Sequence, residues 1–106
     1  SPACWDSERS ALLQFKESFI LNESVSDFPL AYPKVSSWKV EGQGGGGDCC
    51  SWDGVECDNS TGHVIGLDLS SSFLYGSIGS NSTLFHLNHL TSLNLSDNHF
   101  NGSAIP

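Results

Sequence analysis

Residues 64–78 and 90–104 repeat one another, and no other feature limits the fold so tightly. Setting Val64-Ile-Gly-Leu-Asp-Leu-Ser-Ser-Ser-Phe-Leu-Tyr-Gly-Ser-Ile78 beside Leu90-Thr-Ser-Leu-Asn-Leu-Ser-Asp-Asn-His-Phe-Asn-Gly-Ser-Ala104 gives an offset of 26. At that offset Val64 falls on Leu90, Leu67 on Leu93, Leu69 on Leu95, Ser70 on Ser96, Leu74 on Phe100 and Gly76 on Gly102. A fixed period of this length marks units that stack, because one unit cannot bury its apolar side alone and needs a neighbour.

The spacing L-x-x-L-x-L-x-x-N-x-L within each unit has a physical reading. Leu67 and Leu69, two apart, point inward from a short strand while Asp68 between them points out. The predicted repeat core is therefore Val64, Leu67, Leu69, Leu74, Leu90, Leu93, Leu95 and Phe100, with Leu84 and Leu87 continuing an inward rhythm of threes between the units. The outward positions Gly66, Asp68, Ser70, Ser92, Asn94 and Ser96 are expected to line a concave face, where stacked repeats usually bind. An asparagine at the bend can bond its amide to the backbone of adjacent units and satisfy polar groups that the bend buries. Asn98 holds that place in the second unit, and Ser72 is the weaker substitute in the first.

A first unit needs a cover. Residues 4–20 read as a helix, with Asp6 or Ser7 as cap, Glu8 at its positive end, and Leu12, Phe15 and Phe19 recurring on one face. Residues 21–48 read as irregular, apart from a helical turn at 33–38 and a glycine-rich linker at 42–47 that lacks the ending of a phosphate-binding loop. Residues 49–69 read as a hairpin turning at Asp58-Asn-Ser-Thr-Gly62. Helix and hairpin together would close the stack, and Trp5, Trp38 and Trp52 are expected to pack beneath that cover.

Four cysteines in 106 residues and five Asn-x-Ser/Thr triplets, at Asn22, Asn59, Asn81, Asn94 and Asn101, point to the secretory pathway, where disulfides persist and N-linked glycans are added. No apolar run approaches the roughly 18 residues of a membrane helix, so the chain reads as mature extracellular material with no direct membrane insertion. Net charge is −8, and residues 40–106 contain no Lys or Arg. A nucleic-acid partner, which requires a basic stripe, is excluded as an expectation.

Across nearly its whole length the sequence resembles the N-terminal region of plant extracellular leucine-rich-repeat proteins, most closely receptor-like proteins of the disease-resistance type. The residues that carry the resemblance are Asp6-Ser-Glu-Arg-Ser-Ala-Leu-Leu-Gln-Phe-Lys16, Ser37-Trp38, Asp48-Cys-Cys-Ser-Trp-Asp-Gly-Val-Glu-Cys57, Gly62-His-Val-Ile-Gly-Leu-Asp-Leu-Ser70 and Phe100-Asn-Gly-Ser103. The resemblance implies an α/β fold: a right-handed leucine-rich-repeat solenoid with a disulfide-stapled helix-plus-hairpin cap. The cap would span 1–62 and the first two repeats 63–106. It also implies a second strand at Gly76-Ser-Ile78 and Gly102-Ser-Ala-Ile-Pro106. Two departures stand out: the offset of 26 exceeds the family's usual 24, and Ala104 is inserted before Ile105-Pro106.

A bridge between adjacent Cys49 and Cys50 would be strained, leaving two pairings. We choose Cys4–Cys49 with Cys50–Cys57, which ties the helix start to a stapled hairpin, and the resemblance implies the same. Loop entropy assigns about 4 and about 2.5 kcal/mol to these bridges. Zinc would need paired C-x₂₋₄-C and H-x₃₋₅-H spacings that are missing, and His63, His86, His89 and His99 read as surface residues. Acidic pairs such as Asp53/Glu56 or Asp58/Asp68 suggest no catalytic site in so thin a fold. Neither a cofactor nor a metal is expected, nor an enzyme.

The leading functional expectation is a non-catalytic binding scaffold at the start of a plant cell-surface immune receptor-like protein, taking a protein or peptide ligand on later repeats. The alternative is a secreted inhibitor of microbial wall-degrading enzymes on the same scaffold. A third, compatible expectation is end-to-end self-association of the fragment through its uncovered last repeat.

Overall fold

The structure is a computed structural model that describes residues 3–39, 48–79 and 81–100. Among the described residues one α-helix, α1 (Asp6–Glu17), precedes six short strands: β1 (Phe19–Leu21), β2 (Val55–Cys57), β3 (Val64–Asp68), β4 (Leu74–Gly76), β5 (Ser92–Asn94) and β6 (His99–Phe100). They form two three-stranded sheets, ordered β1-β4-β6 and β2-β3-β5. Each repeat supplies one strand to each sheet. In both sheets the first strand is antiparallel (β1 on β4, β2 on β3), and the second repeat then adds in parallel.

The helix is shorter than its pattern suggests. It buries Glu8, Ala11, Leu12 and Phe15, spaced as one helical face, and its N-cap is Trp5, which makes no side-chain cap bond, rather than Asp6 or Ser7. Asp6 instead pairs with Arg9 at 3.0 Å. Phe19, expected on the helix, lies beyond its end in β1, where Phe19, Ile20 and Leu21 pair with Gly76, Tyr75 and Leu74. Gly76 permits this close approach: a Cβ there would lie 2.7 Å from the Phe19 ring and 2.9 Å from the Ser18 carbonyl oxygen. The hairpin expected over 49–69 has its first strand only from Val55, because Cys49–Ser51 is a 3-10 turn capped by Asp48.

The core runs through helix, hairpin and repeats as one body. Leu12, Phe15, Val35, Trp38, Trp52, Val64, Leu67, Leu69, Leu74, Ile78, Leu84 and Leu87 are buried, with Leu90, Leu95 and Phe100 packed partly against them. Leu93, expected in the core, is 42% exposed. It sits on β5, the outermost strand of its sheet, so its outer side has no neighbouring strand among the described residues.

Register separates the two sheets. β3 and β5 pair Gly66 with Ser92, Leu67 with Leu93 and Asp68 with Asn94, the offset of 26. β4 and β6 pair Tyr75 with His99 and Gly76 with Phe100, an offset of 24, so Phe100 does not lie beside Leu74 as the repeat alignment had it. The two surplus residues belong to the first bend. There both Ser71 (φ 50°) and Phe73 (φ 62°) are left-handed, whereas Asp97 (φ 56°) is the one such residue in the second bend. The bulged bend meets the segment that follows α1: Asn22 N–H donates to Phe73 O (2.8 Å) and Tyr32 N–H to Ser71 O (3.1 Å).

Candidate functional site

The face predicted to bind is the outer side of β2-β3-β5. Asp68, Ser92, Asn94 and Ser96 are exposed and Ser70 is half-buried, whereas Gly66 is buried. Gly66 is covered by Glu56 of β2, whose carboxylate would stand 2.8 Å from a Cβ at that position. Asp68 and Asn94 are neighbours in the ladder and repeat one local motif. Asp68 Oδ1 accepts from the Ser70 hydroxyl (2.7 Å) and N–H (3.1 Å), and Asn94 Oδ1 accepts from the Ser96 hydroxyl (2.8 Å) and N–H (3.0 Å). The hydroxyl and then the amide of Ser70 hold the Asp68 carboxyl below its ordinary value. A carboxylate held this way is a weak candidate for proton transfer.

The bend is stitched by Asn98. Its Oδ1 accepts from Ser72 N–H (3.1 Å) and Leu74 N–H (3.0 Å) in the first repeat. Its Nδ2 donates to Leu69 O (2.7 Å), Leu95 O (3.2 Å) and Ser96 O (3.0 Å). Ser72, at the equivalent place, is fully buried and donates from its hydroxyl to Ser70 O at 3.1 Å.

Sequence reasoning missed a column of rings. Trp5 stacks on His63 (centroids 4.3 Å apart) and His63 on His89 (3.7 Å). His63 and His89 are separated by the repeat offset, a signal that was present in the sequence. His63 is therefore half-buried and not a plain surface residue, while His86, His89 and His99 are exposed. Trp5, expected beneath the cover, is 49% exposed and donates its indole N–H to Thr61 O at 2.8 Å. Trp38 and Trp52 are buried and stacked on each other. Glu8, read as a partner for the helix dipole, is buried: Oε1 accepts Val64 N–H at 2.9 Å and Oε2 lies 3.3 Å from His63 Nδ1. It joins the helix to the start of β3.

The bridges join Cys4 to Cys49, with Cα atoms 5.4 Å apart, and Cys50 to Cys57, with Cα atoms 5.5 Å apart. Of the Asn-x-Ser/Thr sites, Asn59, Asn81 and Asn94 are exposed and Asn22 is half-buried, its Oδ1 accepting from Ser24. Asn101 and the glycine-rich stretch 42–47 lie outside the described residues. Among the described residues no enclosed pocket is found, and no helix is long and apolar enough to cross a membrane.

Comparison with known proteins adds the following. A family model described as leucine rich repeat N-terminal domain matches residues 6–58. Receptor-like protein 7 of Arabidopsis thaliana is 48% identical over 103 residues, which span 97% of this chain and 9% of that protein. Receptor-like protein Cf-9 of Solanum pimpinellifolium is 43% identical over 111 residues, 96% of this chain and 12% of that protein. The chain thus spans about a tenth of the length of these relatives. Among solved structures, the leucine-rich-repeat ectodomain of the Arabidopsis receptor kinase HAESA, in complex with an N-terminally extended IDA peptide hormone, superposes with a TM-score of 0.62. It is 29% identical, over 90% of this chain and 13% of that one.

Proposed function

Because the chain belongs to the leucine rich repeat N-terminal domain family, in the form shared with plant receptor-like proteins, we propose that it closes one end of a right-handed solenoid in the extracellular binding scaffold of a plant cell-surface immune receptor. The observation that carries this reading is the change of strand direction. Helix and hairpin occupy one edge of both sheets through antiparallel β1 and β2, while the parallel strand β5 presents half-exposed Leu93 on the other edge. A further coil would cover Leu93 and extend the sheet.

The scaffold is non-catalytic in this reading: of the two acidic residues on the exposed strand face, Asp68 is engaged by Ser70 and Glu56 lies over Gly66. Its ligand is a protein or peptide held on later coils. The peptide complex of the HAESA ectodomain supports that ligand class. The same reading takes Asn22, Asn59, Asn81, Asn94 and Asn101 as candidate sites for N-linked glycans. One on Asn94 would stand on the strand face and keep ligands off the first two coils. The receptor-like relatives favour this reading over a secreted inhibitor of wall-degrading enzymes.

The test is cell-surface delivery of a protein carrying this chain and its downstream coils, with Phe15→Asp in the buried face of α1. Such a change leaves a charge in the core, and we expect retention inside the secretory pathway with loss of ligand response. Wild-type delivery and response from Phe15→Asp would overturn the proposal.

A further inference from the structure

The sulfurs of Cys4, Cys49 and Cys50 all lie within 4.8 Å of one another, although they belong to two different bridges. A disulfide exchanges when a thiolate reaches one of its sulfurs. Here the third sulfur stands beside the bond it would attack. A single carboxylate oxygen keeps it there. Asp48 Oδ1 accepts both Cys4 N–H (3.0 Å) and Cys50 N–H (3.1 Å), holding the two backbones together independently of the sulfur bonds. Cys49 is fully buried whereas Cys4, Cys50 and Cys57 are each half-buried, so the hairpin bridge has two half-buried members and the helix tether one.

We infer that the hairpin bridge Cys50–Cys57 is a thiol-responsive site that relays its opening to the helix tether Cys4–Cys49. A small thiolate of the glutathione class attacks Cys57 Sγ. The Cys50–Cys57 bond breaks, a mixed disulfide forms on Cys57, and the bonding pair leaves on Cys50 as a thiolate. Cys50 Sγ then attacks Cys4 Sγ. The Cys4–Cys49 bond breaks, Cys4–Cys50 forms, and Cys49 departs as a thiolate that takes up the proton the small thiol gave up. Two disulfides and one thiol exist before and after, so no net oxidant or reductant is required. Attack on Cys49 Sγ would instead join neighbouring residues, whose Cα atoms lie about 3.8 Å apart, short of the roughly 4.4 Å a relaxed bridge needs. Cys4 is therefore the electrophile. The exchange shifts the helix tether by one residue and removes the hairpin's staple.

The Cys57→Ser variant tests the relay step directly, since Cys50 is then free without any added thiol. After incubation at about pH 8, where a substantial fraction of thiol ionises, followed by alkylation, peptide mapping is expected to find Cys4–Cys50 with alkylated Cys49 alongside Cys4–Cys49 with alkylated Cys50. A single Cys4–Cys49 species overturns the proposal. Adding Asp48→Ala in that background should slow the appearance of Cys4–Cys50 severalfold, and an unchanged rate would remove Asp48 from its positioning role. In the unmodified chain treated with glutathione under native conditions, Cys49 should become alkylatable roughly tenfold faster than in a Cys50→Ser/Cys57→Ser double variant shown by circular dichroism to be folded. Equal rates would overturn the relay. If the double variant does not fold, the Cys57→Ser mapping decides alone.

Discussion

At the bend of the second repeat, one primary amide serves backbone groups of both repeats. Asn98 takes two N–H groups from the first and gives its own protons to carbonyls on either side. Removing it leaves several half-buried polar groups without partners, each costing about 1–3 kcal/mol where water cannot replace the bond. Asn98→Ala is accordingly expected to lower stability by about 2–4 kcal/mol in urea unfolding. That role was legible from the position of Asn98 in the repeat. Asp97 beside it was not. Its carboxylate accepts from the hydroxyls of Ser26 (2.5 Å) and Ser71 (2.6 Å), and Ser26 lies 71 residues away with no pattern to announce it. Those hydroxyls, Ser26 first, hold the Asp97 carboxyl below its ordinary 3.8. A depressed carboxyl stabilises the fold above its unfolded value, and that contribution is lost as pH falls through the folded one. Wild-type stability should therefore decline as pH falls through and below that ordinary value, and Asp97→Asn should flatten part of that decline in a pH series of urea titrations.

Among the elements, those with a period were legible and those made by tertiary pairing were not. The face Leu12–Phe15 read correctly as helical, yet Phe19 continued the same spacing and ended up in a strand. An unpaired edge of β4 draws Phe19–Leu21 into a ladder, and such pairing outweighs local preference. The return strand β3 was plain from its alternation. The start of β2 was obscured because Cys49–Ser51 coils into a 3-10 turn before extending. His63 and His89 showed their shared position only once the repeat offset was applied to residues outside the leucine pattern. Between turn and strand, Gly54 adopts φ +82°, and a Cβ there would lie 2.4 Å from Asp68 O. Gly54 also accepts Asp68 N–H at 2.8 Å, so the clash falls on a ladder bond. Gly54→Ala should cost about 2 kcal/mol or more from the strained dihedral and the displaced backbone. Thermal unfolding followed by near-UV circular dichroism of the stacked Trp38 and Trp52 would register it.

For the whole molecule, the offset of 26 anticipated the register in which β5 lies beside β3, but not that β1 and β2 would join both sheets from the other edge. The 106-residue chain in isolation is expected to self-associate, because Leu93 is 42% exposed on an unpaired strand edge. Static light scattering should give a mass that rises with concentration, and Leu93→Lys should return it to that of a monomer. A concentration-independent monomer from the unmodified chain would refute the expectation. The reversal of strand direction at β1 and β2 has a consequence for lineage as well as for packing. A gene encoding this architecture can lengthen or shorten by duplicating or losing whole periods downstream of β3 and β4 while every cystine, tryptophan and helix contact of the lid is inherited unaltered. The number of coils and the integrity of the helix-and-hairpin end are thereby free to vary as separate traits.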